Sequence, residues 1–389
     1  MSLDLGDYPV GTAPVLDQKT ALKNSLSAFS PMIIGNTYPL GVPFQGELSG
    51  ICDIYGPYVF PKNPESITSL DQGQIGNILG VANFSELKNL TNFANNFNDY
   101  TFSSVILNSK SILSVEYRNN EAYLKYLNLN NCSNLSTLSC GYNQLPNLSI
   151  VGCTGLTYLD CTSNQLTNLN VAGFNKLSLL SCYNNQLTNL NVAGCSSLEE
   201  LTCSYNPLTV LNLAGLTGLT TLNCVYNQLT GLNVSGCTSL STLNCIYNNQ
   251  LTNLNLAGLT GLTSLNCSYD GITGLNVSGC TSLSTLYCQD NELTDLSVAG
   301  LTNLTTLSFQ YNQLTGLNVS GCTNLTSLNC QYNNLTSASV NNILITLSGL
   351  GKSSGNAIIN GDGIGPPTGL GISAKTYLIN TKAWSVSTN

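Results

Sequence analysis

Histidine is absent from this 389-residue chain. Without it, no Ser-His-Asp or Cys-His arrangement can be assembled, so the commonest routes to an activated nucleophile are closed. Charge is scarce as well: Asp, Glu, Lys and Arg together make up 8% of residues, against about 25% in an average globular chain. The net charge is −8. Between Leu127 and Val340 the single basic residue is Lys176, whereas Asp160, Glu199, Glu200, Asp270, Asp290, Glu292 and Asp295 are acidic. Binding a phosphate backbone requires clustered Lys and Arg, which excludes nucleic acid as a partner. Long apolar runs are missing too, and with them membrane insertion. The opening MSLDLGDYPVGTAP carries acids and proline where a secretory leader has a basic region and an apolar core, so no signal peptide is expected.

The acids that are present do not form a catalytic set. Glu199 and Glu200 are adjacent, and Asp290, Glu292 and Asp295 are close neighbours in sequence. A glycosidase needs two carboxyls facing each other across a cleft, so plain solvation is expected for these groups. The segment NGDGIG, from Asn360 to Gly365, shows too few oxygen ligands for calcium and reads as a turn. No cofactor motif occurs, and no enzyme is expected.

What the chain does contain is a repeat. Its clearest copy is LTTLNCVYNQLTGLNVSGCTSL, from Leu219 to Leu240. Aligned on the cysteine, the copies centre on Cys140, Cys161, Cys182, Cys203, Cys224, Cys245, Cys267, Cys288, Phe309 and Cys330, at a spacing of 21 residues with one step of 22. The longer step, from Cys245 to Cys267, includes NNQ at Asn248–Gln250 and implies one extra residue in a turn. Relative to the cysteine, apolar residues recur at −5, −2, 0, +5, +8, +10 and +13, as in Leu219, Leu222, Cys224, Leu229, Leu232, Val234 and Cys237. A period of this length means stacked rungs that bury a shared core, not a set of separate globular domains. Seven apolar side chains per rung, at roughly 1.5 to 3 kcal/mol each, drive the stacking, and chain entropy opposes most of that gain.

Sixteen cysteines would form disulfides in many secreted chains. Here nine lie in the column above. Six more, Cys132, Cys153, Cys195, Cys237, Cys280 and Cys322, form a second column in which Phe174, Leu216, Leu259 and Leu301 take the same place. A residue that exchanges with Leu and Phe behaves as a buried hydrophobe, so free thiols and folding in a reducing compartment are expected.

The phrase L-x-x-L-x-C-x-x-N-x-L resembles the leucine-rich repeat, with cysteine in the third leucine position. The resemblance implies a repeat solenoid that is mainly β: a parallel sheet on the concave face, little helix on the convex side, and caps at both ends. It also implies an asparagine ladder at the turn after each strand, at Asn143, Asn164, Asn185, Asn206, Asn227, Asn291, Asn312 and Asn333, with Asp270 in one rung and Asn248 or Asn249 in another. Residues 1–65 hold eight of the twelve prolines and read as an extended N-terminal assembly arm. Residues 66–126 read as an N-terminal cap, 127–336 as the solenoid of about ten rungs, and 337–389 as a C-terminal α/β cap made of two helix–strand pairs.

Function is sought on the outward side chains beside each strand and where the repeat departs from its consensus. Position +2 carries a row of tyrosines: Tyr142, Tyr205, Tyr226, Tyr247, Tyr269, Tyr311 and Tyr332. These offer rigid amphipathic contact area, although a ladder that only stabilises the sheet edge would look the same. The second, third and eighth rungs depart most, at Tyr158, Asp160, Leu179, Tyr183, Tyr287, Gln289 and Asp290, and Glu200, which interrupts the Thr/Ser row, joins them in the candidate recognition surface. The expected function is non-catalytic: a fibre, spike or receptor-binding component on a bacteriophage virion surface, assembled in the host cytoplasm. The arm would attach to other virion or surface proteins, the solenoid to a host-surface glycan or protein, and the chain would form a homo-oligomer. The alternatives are a bacterial cell-surface or secreted adhesin, and a glycan- or ice-binding protein.

Overall fold

The computed structural model describes residues 68–71, 80–85, 87–95, 102–118 and 124–389. The proposed assembly arm at residues 1–65 lies outside the described residues. Parallel three-residue strands stack in register through the repeats. Thr137, Tyr158, Leu179, Glu200, Thr221, Thr242, Ser264, Thr285, Thr306 and Ser327 pair in turn, each strand placing one leucine inward between two outward residues. The seven apolar columns are buried except for the half-buried Leu148 and Leu275; in one rung Leu219, Leu222, Cys224, Leu229, Leu232, Val234 and Cys237 are each no more than 9% exposed. On the other side of the rung the chain is extended, with short parallel pairs such as Asn168–Asn170 with Asn189–Asn191.

Twenty-one residues close into a rung because two positions per repeat adopt the left-handed conformation. One is the glycine of the second turn, for example Gly236 at φ +78°. The other is position +2, where Tyr142, Tyr205, Tyr226, Tyr247, Tyr269, Tyr311 and Tyr332 all have φ between +51° and +62°. Tyrosine is disfavoured there, so the ring contacts described below must offset a local backbone cost.

The asparagine that follows position +2, replaced by Asp270 in one rung, turns inward and joins neighbouring rungs. Asn227 Nδ2 donates to the Cys224 carbonyl at 3.0 Å and to the Cys203 carbonyl of the preceding rung at 3.2 Å, while its Oδ1 accepts from the Leu208 amide at 3.2 Å. The same pattern recurs at Asn164, Asn185, Asn206, Asn312 and Asn333. In the longer rung the ladder residue is Asn248, and the extra residue is accommodated by a turn in which the Leu251 amide donates to the Asn248 carbonyl at 2.8 Å. Every cysteine among the described residues is free and buried. Second-column thiols donate to a carbonyl one rung back, as Cys237 does to Leu213 at 3.2 Å.

The ends differ from the expected caps. Ser69–Asp71, Asn92–Asn95 and Ser114–Tyr117 belong to the same long sheet, paired Ser69 to Asn92, Asn92 to Ser114 and Ser114 to Thr137. The rungs therefore begin well before Leu127, with Phe93 and Tyr117 in core positions. At the other end, helices α1 (Ser337–Gly349) and α2 (Leu370–Lys382) alternate with strands Asn356–Ile359 and Ser385–Thr388. Both strands extend the same sheet in parallel, so this segment consists of two larger rungs with a helix in place of the extended side. Thr336 caps α1, accepting from the Ser339 amide.

Candidate functional site

Outward residues of the long sheet line one face, and two features on it stand apart. The first lies at the N-terminal rungs. Tyr158 and Asp160 flank the inward Leu159, Leu179 lies beside Tyr158 on the next strand, and Glu200 follows. Asp160 is only 6% exposed, so it is not a freely solvated surface acid. Arg118, two rungs back, reaches across to it. The guanidinium pairs with the Asp160 carboxylate, donates through Nε to Ser139 Oγ at 2.5 Å, and approaches the Tyr158 hydroxyl at 3.3 Å. Asp160 Oδ1 also accepts from the Thr162 amide at 3.0 Å, and the Thr162 hydroxyl meets Ser181 Oγ at 2.8 Å. Burial, then the Asp160 charge, pushes the Tyr158 hydroxyl above its ordinary pKa. Tyr183 and Tyr142 share a hydroxyl–hydroxyl contact of 3.2 Å that reaches across the rung in which Ser163 takes the row position. The side chain of Arg118 remains 47% exposed, so this network is open to a partner.

The second feature is the tyrosine row along the sheet rim. Tyr205, Tyr226, Tyr247 and Tyr269 stack with centroid spacings of 4.7, 4.3 and 4.8 Å, and Tyr311 with Tyr332 at 4.6 Å. Each ring pair adds about 0.5 to 1.5 kcal/mol beyond area burial. Beside the longer stack runs an open groove of about 800 Å³ lined by Tyr205, Tyr226, Tyr247, Pro207, Gln228, Asn249 and Gln250. Tyr287, Gln289 and Asp290 lie on the eighth rung, away from the Arg118 network. Asp290 occupies the row position itself and is half-buried; burial raises its carboxyl pKa, contrary to the expected plain solvation.

Comparison with known structures bears on the fold. The chain is similar to the functional domain of InlJ from Listeria monocytogenes, which includes a cysteine ladder: 37% identity, TM-score 0.51, over 59% of this chain and 50% of that one. It thus spans about half the length of that protein. It is also similar to a leucine-rich-repeat protein of Leptospira interrogans, at 21% identity and TM-score 0.54 over 86% of this chain and all of that one. The leucine-rich-repeat domain of APL1 gives 17% identity and TM-score 0.53 over 84% and 79% of the two chains.

The chain has the leucine-rich-repeat fold.

No family model and no curated protein matches the sequence. In a leucine-rich repeat the long parallel sheet is the concave face, the extended surface that such solenoids use for contact with other proteins. Both features of this chain therefore lie on or beside that surface. Arg118 escaped the sequence reading because its rung does not match the strict phrase. Its signal was S-V-E-Y-R, in which Val115 and Tyr117 hold the −2 and core positions and Arg118 falls at +1.

Proposed function

We propose that this protein is a non-enzymatic recognition module that binds a partner across the concave face of its solenoid, centred on Tyr158, Leu179, Tyr183 and Glu200. The observation that carries this is the Arg118–Asp160–Tyr158 network, a charged and hydroxyl-rich contact fixed on the sheet beside the acids Glu116 and Glu200. Rigid aromatic area beside fixed donors and acceptors suits protein recognition. Leu179 is half-buried and sits between Tyr158 and Glu200 on the neighbouring strands. Binding of the labelled protein to candidate target cells should be lost with Leu179→Arg and kept with Ala214→Arg on the opposite side. Equal binding by the two variants would remove the concave face from the account.

The address we propose is the surface of a bacteriophage virion, with the N-terminal arm attached to other virion proteins and the protein assembled as a homo-oligomer. The neutral surface and the buried free thiols support assembly in a reducing cytoplasm. Mass spectrometry of purified virions should find the protein there. A second address is the bacterial cell surface, and the 37% identity to the Listeria domain favours a bacterial origin. Recovery from envelope fractions alone would select it. Recognition of a glycan in place of a protein would appear as specific binding on a glycan array.

A further inference from the structure

The tyrosine row has one interruption of a kind found nowhere else in it. In the Cys288 rung the row residue is Asp290, whose φ of +56° matches the +58° of Tyr269 and the +57° of Tyr311 on either side. Its Cβ therefore leaves the backbone in the same direction as a row tyrosine's, but the side chain is too short to fill a ring's place. Tyr269 stacks on Tyr247 and Tyr311 stacks on Tyr332, so the sides of Tyr269 and Tyr311 that face each other carry no ring. Two rung spacings separate them, about 9.6 Å, which admits one flat group at stacking distance from both.

The chemistry of the gap is anionic and accepting. The Asp290 charge, ahead of burial, raises the pKa of Tyr269, whereas at Tyr311 burial and Tyr332 come first and Asp290 adds to them. Next to it, Gln289 Oε1 is buried and has no hydrogen-bond partner. No Lys or Arg occurs between Lys176 and Lys352, whereas Glu292 and Asp295 follow within five residues of Asp290, so the chain supplies no nearby cation in sequence. A neutral aromatic group entering the gap would desolvate the carboxylate without pairing it. An ammonium is compact and strongly hydrated and cannot lie flat between two rings. A guanidinium is planar, cationic and weakly hydrated, and its forked donors can reach a carboxylate while its faces meet aromatic rings.

We infer that the Tyr269–Asp290–Tyr311 gap is a subsite for a guanidinium, presented as an arginine side chain by a protein partner. Tyr269 and Tyr311 sandwich the plane, Asp290 pairs with it, and Gln289 Oε1 accepts a further N–H. This rests on the recognition reading only for what presents the group; the subsite itself can be tested without the partner.

The test is an NMR titration of the full chain with Nα-acetylarginine amide, with the lysine counterpart as control, following the ring signals of Tyr269 and Tyr311. Saturable shifts with the arginine compound are expected, with clearly weaker binding of the lysine compound. Asp290→Asn should weaken arginine binding by about tenfold, the weight of one charge-assisted pair. Asp290→Tyr completes the ladder with its own residue and should abolish binding while circular dichroism stays unchanged. Absence of saturable shifts in the wild type overturns the inference, as does equal affinity for the lysine compound or for Asp290→Asn. Loss of cell binding in Leu179→Arg with probe binding intact would leave both readings standing, whereas failure of the probe alone would remove only the subsite.

Discussion

Asp270 takes the place of an asparagine in a ladder whose other members donate from their amides, and that exchange makes stability depend on pH. As a carboxylate it cannot donate to the Cys245 or Cys267 carbonyls. Instead Oδ1 accepts from the Asn248 amide at 2.5 Å, and Oδ2 accepts from the Cys245 thiol at 3.7 Å. Burial pushes its pKa up to about 7 from an ordinary 3.8, opposed only in part by those two bonds. Because the folded pKa is the higher one, the protonated group favours folding: the contribution is full below about pH 4 and is lost as pH rises through about 7. About three units correspond to something on the order of 4 kcal/mol over that window. Asp270→Asn restores the ladder amide and removes the titration. Urea unfolding of both proteins from pH 4 to pH 8, followed by circular dichroism, isolates the effect, because every other carboxylate is common to the pair. The variant should match the wild type near pH 4 and exceed it increasingly towards pH 8, by a few kcal/mol. Parallel pH profiles, or a variant less stable than the wild type at pH 8, would refute the reasoning.

Three further outcomes follow from the rungs. Asn227→Ala strips donors from two buried carbonyls and leaves the Leu208 amide unpaired, and should cost about 2 to 4 kcal/mol by the same unfolding assay. Tyr226→Ala breaks ring contacts on both sides and should cost about 1 to 3 kcal/mol, whereas Tyr226→Phe keeps the stack and should stay within about 0.5 kcal/mol. Burial raises the thiol pKa along the first column, with Cys203 and Cys288 pushed up to about 12, so a thiol reagent at neutral pH should modify these cysteines only after denaturant is added. Rapid labelling of the native ladder would contradict that environment.

The middle of the fold was legible because a strict period ties each core, turn and rim position to a column. Seven apolar columns and the ladder asparagines follow from that alone, and Asn248 needed the structure only to choose between it and Asn249. The ends were harder for a physical reason. The first rungs step from Ser69 to Asn92, Ser114 and Thr137, and use Phe93 and Tyr117 where the repeat uses leucine and cysteine. No fixed spacing marks them. The two C-terminal helix–strand pairs could be read as elements, but strands as far apart as Asn356 and Ser385 gave no hint of joining the same sheet. Position on the sheet could be read for the candidate residues, but contact could not. Nothing in the order of residues brings Arg118 onto Asp160 across two rungs, or shows that Asp290 stands in a gap between rings.

Recognition by this protein is placed on the concave face of its solenoid. A photo-crosslinking residue at position 179, compared with one at position 214 on the opposite side, tests this directly on cells that bind the protein. Crosslinks to a discrete partner from position 179 and none from position 214 are the predicted result. Crosslinking from position 214 alone would contradict it.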